Sequence, residues 1–313
     1  MRHYRTATIV TVVLLAVLSG CSDQAQDTIS VEFIRAWGSA GTGDGQFLYL
    51  EDFAFDSQGR LLVTDALRAD VQVFTPDGRF VTKFGGKGKH PGSMVKPEGI
   101  AVDKSGNVYV SDYLSGEIKS YDADFQHLQT FSSQGTAPGQ TLEAEYITIG
   151  SNDLIYIAEA GNHRVSAFNL DGKFQFMFGG EGSDPGQFIR PEDVSFDGKD
   201  SLYVADFGNH RVQLFDLSGK YLATIGGQGS GPGEFRRPVN VAFDDAGRFY
   251  VSDAGNNRVQ LFDQAGVFIG AWGKKGMQTG EFANLHGIIV GEDGNIYVAD
   301  SGNNRIQVFR IRP

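Results

Sequence analysis

Four glutamates stand at a constant interval of 47 residues: Glu51, Glu98, Glu145 and Glu192. Two further steps of the same interval reach Val239 and His286. The positions one place on are Asp52, Gly99, Tyr146, Asp193, Asn240 and Gly287. If the fold gathers these positions, the four glutamates join Asp52, Asp193, Asn240 and His286 in a strongly negative collar. Such a collar has three chemical uses. Its oxygens suit Ca2+ or Mg2+, with Glu51, Glu98, Glu192 and Asn240 as the metal ligands. Its charge attracts a cationic ligand group. Failing either, crowded carboxylates raise one another's pKa and hold protons. The bland alternative is four solvated glutamates, each bonded to a nearby backbone N–H.

A second set on the same period is Arg164, Arg211, Arg258 and Arg305. These could form a cationic rim for an anionic ligand. They could equally brace a corner against the column Asp65, Asp112, Glu159, Asp206, Asp253 and Asp300, whose carboxylates can accept local backbone N–H bonds. In the first two copies the arginine position holds Asp70 and Glu117. His163 and His210 occupy a slot that elsewhere holds Asn, so a polar group suffices there. No G-x-S-x-G, no H-E-x-x-H and no cysteine nucleophile is present to support those hydrolytic chemistries.

The elements that must position these residues repeat with them. The residue before each Gly-rich loop is Trp37, Phe84, Phe131, Phe178, Ile225 or Trp272, again 47 apart. Each unit holds four short runs rich in Val, Ile, Tyr and Phe, bounded by Gly, Asp or Asn, which read as strands. Turns such as Asp103-Lys-Ser-Gly106 and Asp171-Gly172 join them as hairpins. Four antiparallel strands per unit, repeated around an axis, make an all-β, six-bladed β-propeller. The last copy stops after its third strand. Phe33–Trp37 stands in the column of the missing fourth, so the N-terminal strand should close the last blade and remove an open sheet edge. Loops such as 179–188 and 226–235 are blade crossovers rather than phosphate loops, since no helix follows them. First strands line the central channel, so the glutamates should meet at its upper mouth, beside the crossovers and the Asp-to-Arg corners.

The organisation is therefore 1–20 as a targeting segment, 21–30 as a polar tether and 31–313 as one propeller. Arg2 and Arg5 precede an apolar stretch from Ala7 to Leu18 that is too short to span a bilayer. Leu18-Ser19-Gly20-Cys21 resembles a bacterial lipobox, with the only cysteine of the chain at its end. That resemblance implies cleavage before Cys21, lipid on its sulfur and attachment to a membrane. Ser22 after the cysteine implies the outer membrane in a Gram-negative cell. With no second cysteine there is no disulfide. The formal net charge of −11 argues against nucleic acid as a partner.

The motif Asp206-Phe-Gly-Asn-His-Arg211-Val recurs as Asp253-Ala-Gly-Asn-Asn-Arg258-Val and Asp300-Ser-Gly-Asn-Asn-Arg305-Ile. With Tyr-Val-x-Asp before it, this resembles the NHL repeat family over residues 31–311. The resemblance implies a monomeric, lipid-anchored binding scaffold of the bacterial cell envelope. Its upper face would engage a peptide, protein or glycan, with Glu51, Glu98, Glu145, Glu192, Asn240, His286 and the four arginines as candidate contacts. An enzyme is the less favoured alternative: a lactonase-like hydrolase or a lyase using Ca2+ or Mg2+ in the acidic mouth. A three-histidine zinc site is absent, since His286 alone occupies that column. The anchor has a direct check: Cys21→Ser should move the protein from the membrane to the soluble fraction or block its processing. Wild-type protein already free of the membrane would remove the lipoprotein reading.

Overall fold

The computed structural model describes residues 29–312. The expected targeting segment, Cys21 and most of the tether lie outside those residues. Among the described residues no helix is long and apolar enough to cross a membrane.

Six four-stranded antiparallel sheets form the blades of a propeller. Blade 1 comprises Leu50–Phe55, Leu61–Asp65, Asp70–Phe74 and Phe80–Gly85; blade 2 comprises Pro97–Val102, Val108–Asp112, Ile118–Tyr121 and His127–Phe131. Blade 3 is Ala144–Ile149, Leu154–Glu159, Arg164–Asn169 and Phe174–Gly179; blade 4 is Pro191–Phe196, Ser201–Asp206, Arg211–Asp216 and Tyr221–Ile225. Blade 5 is Pro238–Phe243, Phe249–Asp253, Arg258–Phe262 and Phe268–Trp272. Blade 6 takes Leu285–Val290, Ile296–Asp300 and Arg305–Arg312 from the end of the chain and Ser30–Trp37 from its start.

Local chemistry explains the hairpins. In Asp56-Ser-Gln-Gly59, the Asp56 carboxylate accepts the N–H groups of Gln58 and Arg60, and Gly59 turns the chain at a φ of 71°. Between blades the second strands are buried almost throughout and the third strands over most of their length, as alternate side chains face the two neighbouring sheets. Each seam is a separate core. Phe47, Leu50, Phe53 and Phe74 of the first blade meet Tyr297, Ile306 and Val308 of the last. The aromatic before each crossover staples the next blade: a Cβ on Gly78, Gly172 or Gly219 would lie within 2.7 Å of Trp37, Phe131 or Phe178. Blade 2 lacks the glycine and stacks Phe125 on Phe84 instead, at 4.7 Å.

The N-terminal strand pairs with 305–312 in the register Phe33↔Phe309 and Trp37↔Ile306, so the ring closes as expected. Burial of its aromatics is uneven. Trp37 is partly buried and meets Phe74 and Tyr297 edge-on or tilted. Phe33 leans on Phe309 but stays 38% exposed, because it stands on the outermost strand of its blade.

The central channel is not open from end to end. Tyr146 is fully buried, and its hydroxyl donates to the Glu51 carbonyl across the ring at 2.8 Å. Gly99 makes room for it: a Cβ there would stand 2.5 Å from the Tyr146 Cα. The plug leaves one cavity above, of about 300 Å3, and one below, of about 310 Å3. Deleting residues 30–37 should lower the melting temperature by at least about 10 °C, since it opens the ring and exposes the seam beside Tyr297. An unchanged thermal midpoint in a circular-dichroism melt would refute the closure.

Candidate functional site

The upper cavity is lined by Tyr49, Glu51, Leu67, Lys96, Glu98, Tyr113, Glu145, Arg190, Glu192 and His286. The structure thus brings together the four glutamates and His286. It adds residues the sequence reading passed over. Tyr49, Lys96 and Arg190 come two places before the glutamates, and Tyr113 follows the corner aspartate of blade 2. The signal was available, since these positions share the 47-residue period, but their types vary from copy to copy.

A chain of hydrogen bonds crosses blades 6, 1 and 2. The Asn284 amide donates to the Tyr49 hydroxyl at 2.6 Å, and that hydroxyl lies 3.1 Å from His286 Nε2. His286 Nδ1 lies 2.7 Å from Glu51 Oε2. Glu51 and Glu98 act on each other through their side chains, in the direction that lowers the pKa of Glu51 and raises that of Glu98. Lys96 Nζ then stands 2.6 Å from Glu98 Oε1, while also lying 3.9 Å above the Tyr113 ring. The lysine is out of line for a hydrogen bond, so Glu98 Oε1 is buried without a donor. Among the described residues no cation stands at ion-pair distance from Glu145 or Glu192. Arg190 is taken by Glu143 at 2.6 Å.

Burial dominates the acid–base behaviour. It pushes Glu51 up to about 8 and Glu192 up to about 7, and it raises Glu98 and Glu145 well above the usual carboxyl range, where the neighbouring glutamate charges add to it. Burial holds His286 below the usual imidazole value, against the pull of Glu192 and Glu98. Burial and the Glu51 charge lift Tyr49 to about 12. Burial therefore favours the protonated form of the collar carboxyls.

Asp52, Asp193 and Asn240 are elsewhere. They line the lower cavity beneath Tyr146, with Ser195 and an apolar wall. The reason is local: a register shift falls at these residues in every first strand, and the column after the glutamates lies on the far side of Tyr146. These side chains clamp blade to blade. Asp52 accepts Ile100 N–H at 3.0 Å, Asp193 accepts Val241 N–H at 2.9 Å, and Asn240 accepts Ile288 N–H at 2.7 Å. Asn240 as a ligand beside the glutamates is thereby corrected. Among the described residues no three His, Cys, Asp or Glu side chains converge as a metal would need. The collar oxygens face Lys96 and His286 instead, so its residues do not fit Ca2+ or Mg2+.

The arginine column forms no rim. Arg211 donates to Asp206 and to the carbonyls of Ser183, Asp184 and Gln187 in its own crossover. Arg164, Arg258 and Arg305 do the same in their blades. The fork of donors is spent on loop carbonyls that no side-chain pattern reveals. In blades 1 and 2 the task passes to Arg68, which binds Asp70 and the Gly43 and Gln46 carbonyls, and to Lys119, which binds Glu117 and the Pro91 carbonyl. His163 and His210 each accept a backbone N–H through Nδ1, from Arg190 and Arg237.

The collar gives a signed pH dependence. A carboxyl raised on folding keeps a proton that the unfolded chain has already lost. Its stabilisation is complete below about pH 4.5 and is lost as pH climbs through about 7 to 8. His286 acts oppositely and weakens the fold as pH falls below its unfolded value. Stability should therefore peak near pH 5–6 and fall by several degrees of melting temperature towards pH 8, roughly. Glu192→Gln should flatten that slope. A melting temperature that rises steadily from pH 5 to pH 8 would refute it.

Comparison with known proteins bears on the fold. The NHL repeat matches residues 188–215, 235–262 and 282–309, and a family described as a 6-bladed beta-propeller matches residues 55–134. No curated protein matches the sequence. Among solved structures, virginiamycin B lyase from Staphylococcus aureus aligns at 13% identity over 91% of this chain and 100% of its own, with a TM-score of 0.63. A gluconolactonase from Xanthomonas campestris aligns at 15% identity over 86% and 88%, with a TM-score of 0.64. A Bacteroides thetaiotaomicron protein of unknown function aligns at 16% identity over 91% and 76%, with a TM-score of 0.69. At such identities the likeness is one of fold. Blades and closure make this chain a six-bladed β-propeller, with NHL repeats matched in blades 4 to 6.

Proposed function

We propose that the protein is a binding scaffold of the cell envelope, tethered to a membrane through Cys21, which engages a peptide, protein or glycan at the upper mouth of its propeller. One observation carries this reading: four glutamates converge on a closed-floored cavity with a single lysine beside them. A small concave site with a few convergent polar groups is the usual form of a ligand pocket. Its spare carboxyls suit a cationic or hydroxyl-bearing group, for which they can act as acceptors when ionised and donors when protonated. The test is a titration of the protein with n-butylamine and with glucosamine, followed by backbone amide shifts. The largest changes should fall at Tyr49, Lys96, Glu98, Tyr113 and Glu192, and Glu98→Gln/Glu192→Gln should weaken binding by about tenfold or more, at ~1.4 kcal/mol per tenfold. Changes at the lower mouth alone, or none, would overturn it.

A second reading rests on the aligned chain Tyr49–His286–Glu51. With Nδ1 of His286 turned to Glu51, Nε2 accepts from the Tyr49 hydroxyl, so the imidazole is placed as the base that draws the proton of Tyr49 at the cavity wall. The two named neighbours of this fold, a lyase and a gluconolactonase, are enzymes. Turnover of a lactone or ester by the purified protein, lost in His286→Gln, would favour this reading over the scaffold.

A further inference from the structure

We propose that the upper face of blades 1 and 2 docks a segment of a partner protein, which lays apolar side chains on Leu48, Leu67, Val95 and Leu114 and sets one basic side chain into the glutamate collar. The inference rests on the upper-mouth binding reading above and names the partner for it.

The four aliphatic residues are exposed by 37%, 52%, 53% and 51%. Leu67 itself lines the collar cavity, and the other three directly adjoin residues that do: Tyr49, Lys96 and Tyr113. Ala66 N–H donates to the Tyr49 carbonyl and Tyr113 N–H to the Lys96 carbonyl, so Leu48 and Leu67 share the upper corner of blade 1 and Val95 and Leu114 that of blade 2. Other exposed aliphatic side chains, such as Val81, Leu128 and Leu222, are spread singly along the outermost strands and form no such group. Contiguous apolar surface beside a polar pocket marks an interaction site.

The patch exists because the first two blades leave the repeat. In blades 4, 5 and 6 the position of Leu67 and Leu114 is Gly208, Gly255 and Gly302. A Cβ there would stand 2.3 Å from Ile189, 2.4 Å from the Arg236 carbonyl and 2.6 Å from the Ala283 carbonyl. The corner is thus pressed flat against its crossover. Blades 1 and 2 build a different corner, without the three-residue turn seen at 207–209, 254–256 and 301–303. That corner needs no glycine at this position and turns a leucine out to solvent. The fold gains nothing from an exposed leucine, since burial is what stabilises it.

Charge complementarity identifies the second half of the partner. Four carboxyl groups share one lysine, which stands 2.6 Å from Glu98 Oε1 without donating a hydrogen bond to it, and Glu145 and Glu192 have no cation at ion-pair distance among the described residues. A lysine or arginine side chain supplies both the charge and the donor. The other ionisable groups at the cavity are His286, bound to Glu51, Arg190, bound to Glu143, and the phenols of Tyr49 and Tyr113. Asp52 and Asp193 lie below the plug. An incoming cation should therefore expel a proton held among the glutamates, so that binding strengthens as pH rises through about 7.

The experiment titrates the mature protein by calorimetry with three capped peptides: Leu-Lys-Leu, Gly-Lys-Gly and Leu-norleucine-Leu. Leu-Lys-Leu should bind at least about tenfold tighter than either of the others. Its heat should vary with the ionisation enthalpy of the buffer, reporting proton release. The surface variant Leu48→Ser/Leu114→Ser should bring Leu-Lys-Leu down to the level of Gly-Lys-Gly and leave Gly-Lys-Gly unchanged. Equal binding of Leu-Lys-Leu and Gly-Lys-Gly would overturn the docking surface while the collar remained a cation site. Equal binding of the norleucine peptide would remove the basic side chain from the inference. Self-association of the protein that this variant abolishes would make the occupant a second copy, against the proposal. If no peptide binds and n-butylamine leaves the collar untouched, the upper-mouth reading itself fails.

Discussion

A buried carboxylate at the end of each second strand sets the geometry of the whole upper face. Asp65, Asp112, Glu159, Asp206, Asp253 and Asp300 are wholly inaccessible to solvent. Each reaches back 17 residues in sequence to accept a backbone N–H where the crossover meets the first strand: Leu48, Val95, Leu142, Ile189, Arg236 and Ala283. A charge in that position is costly unless fully bonded, and removing one partner of such a group destabilises by several kcal/mol, roughly 3–5. The site is therefore over-determined. Asp206 also takes the Asn209 amide, the Arg211 guanidinium and the Gln213 amide. Because the same carboxylate holds the corner, the crossover and the start of the inner strand, the residue that follows that strand's first position, glutamate in blades 1 to 4 and histidine in blade 6, is delivered to the same place in its blade.

This constraint explains why the repeat can vary so much elsewhere. What the crossover requires is a cation or amide for its carbonyls, not an arginine at one position. Blade 1 meets the need with Arg68 and Gln72, blade 2 with Lys119, blades 4 to 6 with an Arg and a Gln two residues later. Once the requirement is met by another residue, the corner is released from the glycine it otherwise demands. The chemistry of the mouth can then differ from blade to blade without disturbing the ring.

The sequence makes the blade count, the closing strand and the gathering of Glu51, Glu98, Glu145, Glu192 and His286 legible, because all three depend on the repeat period alone. It is silent where direction matters. Asn240 follows the glutamate column by one residue, and that single step turns it into another cavity. The arginines look like a rim because their partners are loop carbonyls, which leave no trace in side-chain types. Lys96 escaped notice for a related reason. It follows the period, but its column also holds Tyr49, Glu143, Arg237 and Asn284, so no shared chemistry flags it. The stored protons are invisible to any pattern, since they follow from burial, and four glutamates around a wet pore would have the same spacing.

Burial of the collar depends in turn on Tyr146. An open channel would let water reach the carboxylates from both ends and keep them ionised. The tyrosine ring instead fills the axis, held by its bond to the Glu51 carbonyl and by the space that Gly99 leaves. The plug thus converts a ring of like charges into a proton-holding floor, and it does so from the backbone of the collar itself. Thr64 and Ser111 add to this by donating to the carbonyls of Glu98 and Glu145 in the next blade, at 2.6 and 2.5 Å. Side chains at the mouth can exchange partners, but the strand starts that carry them are tied across each of these seams. A ligand at the upper mouth meets a fixed framework of carboxyls whose protons, rather than whose positions, can change. Recognition there is therefore governed by charge and protonation, with shape supplied by the surrounding corners.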